Sequence, residues 1–268
     1  MLKDITLGQY FPGNSIAHKL GPRAKILLGT LYIIALFSAK GWMGYAVMAV
    51  TLAACVKVSH VGLRALVRGL KPLVFIIAFT GILNMFFTPD THYLWEWGIL
   101  RVSVKGIENA LFMVIRIMLL VMGTFLMTYT TSPIRLTDGL ESLLNPLKKI
   151  HVPVHELAMM MAIALRFIPT LIEETDKIMS AQKARGADFD SGNISQKAKA
   201  LVPILVPLFI SAFRRADELA TAMECRCYHG GEGRTALHVL RYKTADYLAL
   251  VAFLAFTVGI IVLKHLGL

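Results

Sequence analysis

Two arginines stand in near-identical surroundings 41 residues apart, and their chemistry is that of recognition rather than of bond-making. Arg185 lies between Ala184 and Gly186, and Arg226 lies between Cys225 and Cys227. A guanidinium offers a planar fork that a carboxylate accepts bidentately, and small flanking residues let another backbone come close. The match extends upstream: sliding the chain by 41 residues aligns Asp176 with Asp217, Ile178 with Leu219, Ala181 with Ala222 and Arg185 with Arg226. A lone arginine near a helix C-terminus needs no partner, because it favours the helix dipole and faces water. The duplicated context favours two equivalent docking points for a partner with two equivalent grooves.

Other reactive residue types form no comparable pattern. Cys225, Cys227 and His229 supply three ligand types, but cysteines two apart near a helix end diverge, and no fourth ligand stands nearby. No metal or other cofactor is therefore expected on this chain. Met159, Met160 and Met161 read as adaptable packing rather than as soft ligands. Arg116 falls inside an apolar stretch, where an ionisable group is a functional candidate. It either faces the interior, with Glu108 two turns away, or snorkels to an interface. There is no Gly-rich loop ending in Lys-Ser/Thr to cradle phosphates, so ATP hydrolysis by this chain is not expected. An integral membrane enzyme would need nucleophiles, bases or ligands converging at membrane depth, and the apolar stretches hold almost no Asp, Glu or His.

The elements that must position these residues are helices in a bilayer. The chain has 268 residues, 56% hydrophobic and 17% charged, against about 25% charged for soluble domains. A spanning helix needs about 20 mostly apolar residues, and five stretches meet or approach that: 24–39, 42–58, 72–88, 107–131 and 246–266. The first two are divided only at Lys40-Gly41 and read as a tight hairpin. A basic loop with Lys57, Arg64, Arg68 and Lys71 follows the second, and an outer loop over 89–106 carries Trp95 and Trp97 at the interface. With a cytoplasmic N-terminus, all but five of the 28 Lys and Arg fall on or beside cytoplasmic segments. The exceptions are Lys40, Arg101, Lys105 and Lys264 outside and Arg116 within a span, which is the asymmetry of the positive-inside rule. The net charge of +11 is thus a matter of topology and does not call for nucleic acid. Cys55 lies in a span, so the three cysteines make no disulfide framework. Residues 1–25 lack the compact apolar core of a cleavable signal.

The organisation expected is a membrane domain over 1–131, a cytoplasmic module over 132–245 and a C-terminal span over 246–268. The module holds 12 of the 17 acidic residues yet keeps strong apolar stripes. Ser132-Pro133 opens a helix to about Lys149, with Ser as cap and Pro in the first turn. A second helix begins after Pro153 and continues to about Arg185, with Leu157, Met161, Leu165, Ile168, Ile172 and Met179 as its stripe. A third runs from about Gln196 to Tyr228, with Leu205, Phe209, Ala212, Ala216, Leu219 and Met223. Pro169, Pro203 and Pro207 should bend these helices, and Arg214 and Glu218 are spaced as an i,i+4 pair. The fold class is all-α: a polytopic membrane protein with roughly five spans and a coupling module of long amphipathic helices.

Several segments carry a family resemblance that covers essentially the whole chain. Leu165-Arg-Phe-Ile-Pro-Thr-Leu171, Glu174 and Ala181-Gln-Lys-Ala-Arg-Gly186 resemble the first signature of the transmembrane T component of energy-coupling factor (ECF) transporters. Pro203-Ile-Leu-Val-Pro-Leu-Phe209, Arg214-Arg-Ala216 and Ala222-Met-Glu-Cys-Arg-Cys-Tyr228 resemble the second, and Gly8-Gln-Tyr10 with Pro12 and His18-Lys-Leu-Gly-Pro-Arg23 resemble the opening. The resemblance implies a non-catalytic subunit in the cell membrane that joins two ATP-binding-cassette ATPases, which carry the ATP, to a membrane-embedded, vitamin-binding S component. It also implies that Arg185 and Arg226, with Ala184, Gly186, Cys225 and Cys227 beside them, dock into the two ATPases. Cysteine on both sides of Arg226 departs from the family's usual Ala-Arg-Gly but is still small. A self-sufficient ATP-binding-cassette permease is the alternative; its Glu-Ala-Ala-type docking loop with a downstream glycine is not found.

Overall fold

The computed structural model describes residues 10–88, 93–97, 100–187, 189, 193–231 and 240–265. Among them are α1 (Ile16–Lys19), α2 (Pro22–Ser38), α3 (Gly41–Ser59), α4 (Leu63–Leu70) and α5 (Val74–Phe87). A short antiparallel hairpin follows, of β1 (Tyr93–Trp97) and β2 (Leu100–Ser103). The chain continues with α6 (Val104–Thr130), α7 (Pro133–Leu144), α8 (Val154–Ala184), α9 (Ile194–Glu224) and α10 (Thr244–His265). The architecture is helical as expected, and the hairpin occupies part of what was read as an outer loop. The side chains of Trp95 and Trp97 lie outside the described residues, as do Gly8 and Gln9 of the opening motif.

Local chemistry sets the helix ends. Ser103 caps α6 by accepting the Gly106 N–H at 2.9 Å. Ser132 accepts the Arg135 N–H at 3.4 Å, with Pro133 at the first position of α7. That helix stops at Leu144 rather than Lys149, because Pro146 supplies no N–H, and a 3-10 turn over Asn145–Ile150 takes over. Asn193 and Gln196 cap α9 reciprocally, so it begins two residues before the expected start. The basic loop after α3 is itself helical, forming α4.

The chain packs as two units. The first comprises Gly8–Leu143 with Leu240–Leu268. In it α6 is central, contacting α2, α3, α4 and α5, while α10 lies along α2. The core gathers Tyr32, Leu36, Tyr45, Met48, Leu52, Leu119, Tyr129 and Ile260. Tyr32 donates to the Leu119 carbonyl at 2.7 Å, satisfying a hydroxyl that burial would otherwise penalise. Lys25 donates to the Thr130 carbonyl at 2.7 Å and the Thr131 hydroxyl at 3.1 Å, placing a cation where α6 ends. Large apolar side chains also face outward, with Phe75 78% and Leu248 68% exposed. Water would penalise such a surface and lipid would not.

The second unit, Leu144–Val239, contains α8 and α9. Each is 31 residues long. They run antiparallel: Gln182 reaches the Pro203 carbonyl at 3.5 Å, Glu174 meets Arg215, and Ile163 lines the same groove as Leu219 and Met223. Both helices continue through their internal prolines, Pro169 in α8 and Pro203 and Pro207 in α9.

Five segments among the described residues are long and apolar enough to cross a membrane: Gly41–Ser59, Leu63–Phe87, Val104–Thr130, Val154–Ala184 and Thr244–Lys264. Four correspond to stretches read from the sequence. The first expected stretch forms α2, but its 17 residues rise only about 26 Å. The α8 helix meets the length and composition criterion although it was read as part of the cytoplasmic module.

Candidate functional site

The two arginine motifs are built from one backbone device. At the end of α8 the Gly186 N–H donates to the Lys183 carbonyl at 3.0 Å and the Ala187 N–H to the Gln182 carbonyl at 3.0 Å. At the end of α9 the Cys227 N–H donates to the Glu224 carbonyl at 2.8 Å and the Tyr228 N–H to the Met223 carbonyl at 3.0 Å. In each, paired reverse bonds satisfy the last carbonyls of a helix, and the residue after the cap takes a left-handed conformation. Those residues are Gly186, with φ +89°, and Cys227, with φ +54°. Arg185 and Arg226 each stand immediately before that left-handed residue, Arg185 as the C-cap of α8 and Arg226 one residue beyond the Cys225 C-cap of α9.

This gives the third position of each motif a role that size alone did not suggest. Gly186 is there because the cap needs positive φ, which glycine adopts without penalty. Cys227 holds the same conformation with a β-carbon, at some cost in strain. Residue spacing could have signalled this, since a glycine following a helical pattern is a common stop; the cysteine concealed the second case.

All six residues, Ala184, Arg185, Gly186, Cys225, Arg226 and Cys227, are exposed. Among the described residues neither Arg185 nor Arg226 is held in an ion pair. The α8–α9 hairpin does not bring them together. They sit at its opposite ends, each exposed on a tight turn that closes its helix. The arrangement suits two separate acidic or carbonyl-lined acceptors and does not form one catalytic pocket. Among the described residues no three His, Cys, Asp or Glu converge as a metal site.

The helices behind the motifs meet in a groove of about 280 Å³ with walls from Ile163, Phe167 and Leu171 of α8 and a floor of Ala212, Ala216 and Ala220. The α9 side contains Ala212, Ala216, Leu219 and Met223 from the expected stripe, but Leu205 and Phe209 are 58% and 66% exposed. The α8 side uses a face displaced from the expected one. The expected Arg214–Glu218 pair is not the ion pair formed: Arg215, its neighbour, reaches across to Glu174 at 2.9 Å. Arg116, in the other unit, turns inward and donates to the Tyr45 hydroxyl rather than pairing with Glu108.

Comparison with known proteins places the whole chain among relatives. Residues 13–237 match the CbiQ family, described as a cobalt transport protein. The chain is similar to an energy-coupling factor transporter transmembrane protein, EcfT, of Ruminiclostridium cellulolyticum, 51% identical over 265 residues covering 99% of both chains. The protein of the same name from Clostridium kluyveri is 55% identical over 250 residues, 93% of each chain. That from Bacillus subtilis is 45% identical over 254 residues, 95% of this chain and 96% of its own.

Proposed function

The chain belongs to the family of transmembrane T components of energy-coupling factor transporters, and from that membership we propose that it links two cytoplasmic ATPases to a membrane-embedded S component for uptake of vitamins or other micronutrients. The single observation that carries the reading is the pair of helix ends closed by the same reverse bonds, with exposed Arg185 and Arg226 at opposite ends of one hairpin. Each guanidinium is offered to a groove on one ATPase, with Ala184 and Gly186, or Cys225 and Cys227, admitting the partner's backbone. Nucleotide-driven closure of the ATPase pair then moves the two caps, and α8 and α9 carry the movement to the S component. The exposed apolar face of α9, with Leu205, Val206, Phe209 and Phe213, is of the kind a membrane-embedded partner buries. The chain itself supplies no catalytic group in this scheme; ATP is bound and hydrolysed by the partners. In this reading the N-terminus and the 132–245 module face the cytoplasm, where the basic residues concentrate, and α8, though long and apolar enough to cross a membrane, stays with that module.

The test is co-purification from membranes with the ATPases and an S component, comparing the wild type with Arg185→Glu/Arg226→Glu. Recovery of both ATPases with the wild type, and their loss from the inserted double variant with loss of transport, is the expected result. Normal assembly and transport by that variant would remove the assigned role. Substrate retained by the chain alone would favour a self-sufficient permease or an integral membrane enzyme.

A further inference from the structure

We propose that the Glu174–Arg215 ion pair is a positioning pin that fixes the distance between the two docking arginines. This rests on the docking reading above. Glu174 and Arg215 are 41 residues apart, the same offset that relates Arg185 to Arg226. Each member of the pair therefore precedes its own docking arginine by the same number of residues, on helices running in opposite directions. At about 1.5 Å per residue each arm is roughly 16 Å long, which puts the arginines roughly 30 Å apart, with the pin midway.

The contact is made to resist sliding. Arg215 donates from Nη2 to Glu174 Oε2 at 2.9 Å, and its guanidinium lies over the Phe167 ring at 5.6 Å. About three quarters of each side chain is removed from solvent. The other guanidinium nitrogen, Nη1, is buried without an acceptor among the described residues. Among the described residues Glu174 is thus the carboxylate that holds this cation. A shift of one helix past the other by a turn would break this half-buried pair and leave both charges without their partner, which costs more than losing a fully exposed pair. The groove beside it is lined almost wholly by apolar side chains, which supply contact without charge pairing. The ion pair is thus the charged contact that sets register, beside the longer Gln182 contact to the Pro203 carbonyl, and two ATPases pulling at the two caps work against a fixed strut.

The experiment uses the assembled transporter and the free full-length chain, with spin labels at Lys183 and Glu224, both exposed and outside the docking triplets. The wild type should give a narrow distance distribution. Glu174→Gln and Arg215→Gln should each broaden it and lower substrate moved per ATP hydrolysed roughly threefold to tenfold, while both ATPases still co-purify. The exchanged pair Glu174→Arg/Arg215→Glu should restore the narrow distribution and recover the coupling ratio. An unchanged distribution and coupling ratio in Glu174→Gln would overturn the proposal. So would failure of the exchanged pair to restore either, in a chain that inserts and keeps its ATPases. If the wild type bound no ATPase, the docking reading would fall, and the distance measurement would still decide whether the pin sets register.

Discussion

Arg116, one residue from the middle of α6, donates from Nε to the Tyr45 hydroxyl of α3 at 2.8 Å. Its guanidinium also lies 5.7 Å from the Phe37 and Tyr45 ring centroids. A cation in the middle of a 27-residue apolar helix is thereby met by a hydroxyl and two π faces, and α2, α3 and α6 are joined at one point. Tyr45→Phe removes the acceptor and leaves the charge, so it should cost about 1.5–3 kcal/mol. Arg116→Met/Tyr45→Phe removes both members and should be more stable than Tyr45→Phe alone. Thermal unfolding in nanodiscs reads the order; a double variant less stable than Tyr45→Phe would mean that the cation contributes in its own right.

The left-handed Cys227 gives a second prediction. Cys227→Gly relieves the β-carbon at φ +54° and should firm the α9 cap by up to about 1 kcal/mol. Gly186→Ala should loosen the α8 cap by a similar amount. Amide hydrogen exchange at Cys227 and Tyr228, and at Gly186 and Ala187, is the readout. Slower exchange in Cys227→Gly and faster exchange in Gly186→Ala are expected, and the opposite order would show that the caps do not depend on this backbone conformation.

These two cases show where the sequence is legible and where it is not. The arginine motifs were visible because both side-chain identity and spacing repeat, and the caps follow a rule local to each helix end. The contact face of α8 was not, since its first half is apolar on several sides and periodicity then selects no single stripe. The choice of Arg215 over Arg214 was hidden for a different reason. Within α9 the i,i+4 rule favours Arg214 with Glu218, but an anion on the neighbouring helix captures the adjacent arginine. Likewise Arg116 met a hydroxyl 71 residues away rather than the carboxylate on its own helix.

A contact spanning almost the whole chain gives the third prediction. Asp246 is 1% exposed and accepts the Gly21 N–H and the Lys243 N–H, both at 2.8 Å. One carboxylate thus serves the N-terminal ends of α2 and α10, where helix dipoles favour negative charge. Asp246→Ala leaves two N–H donors without their acceptor and should cost about 2–4 kcal/mol. Asp246→Asn keeps one acceptor oxygen and should lie between it and the wild type. The expected signature is early release of α10, seen as proteolysis near residue 243 at temperatures the wild type withstands. Equal resistance in Asp246→Ala would show that α10 is held by its apolar contacts with α2 alone.

Close approach of α2 to α6 supplies the last prediction. A β-carbon on Gly123 would collide with the Tyr32 ring, which is 8% exposed and tied through its hydroxyl to the Leu119 carbonyl one turn earlier. The ring cannot swing away without losing that bond, so glycine is required at position 123 by packing rather than by backbone conformation. Gly123→Ala should cost about 1–3 kcal/mol through overpacking. Tyr32→Leu in the same chain removes the obstructing ring and should recover part of the loss, beyond its own effect in a glycine background. A double-variant cycle on thermal unfolding measures that coupling. Strict additivity would place the cost of Gly123→Ala elsewhere than at this contact, whereas a favourable coupling term would locate the α2–α6 seam at these two residues.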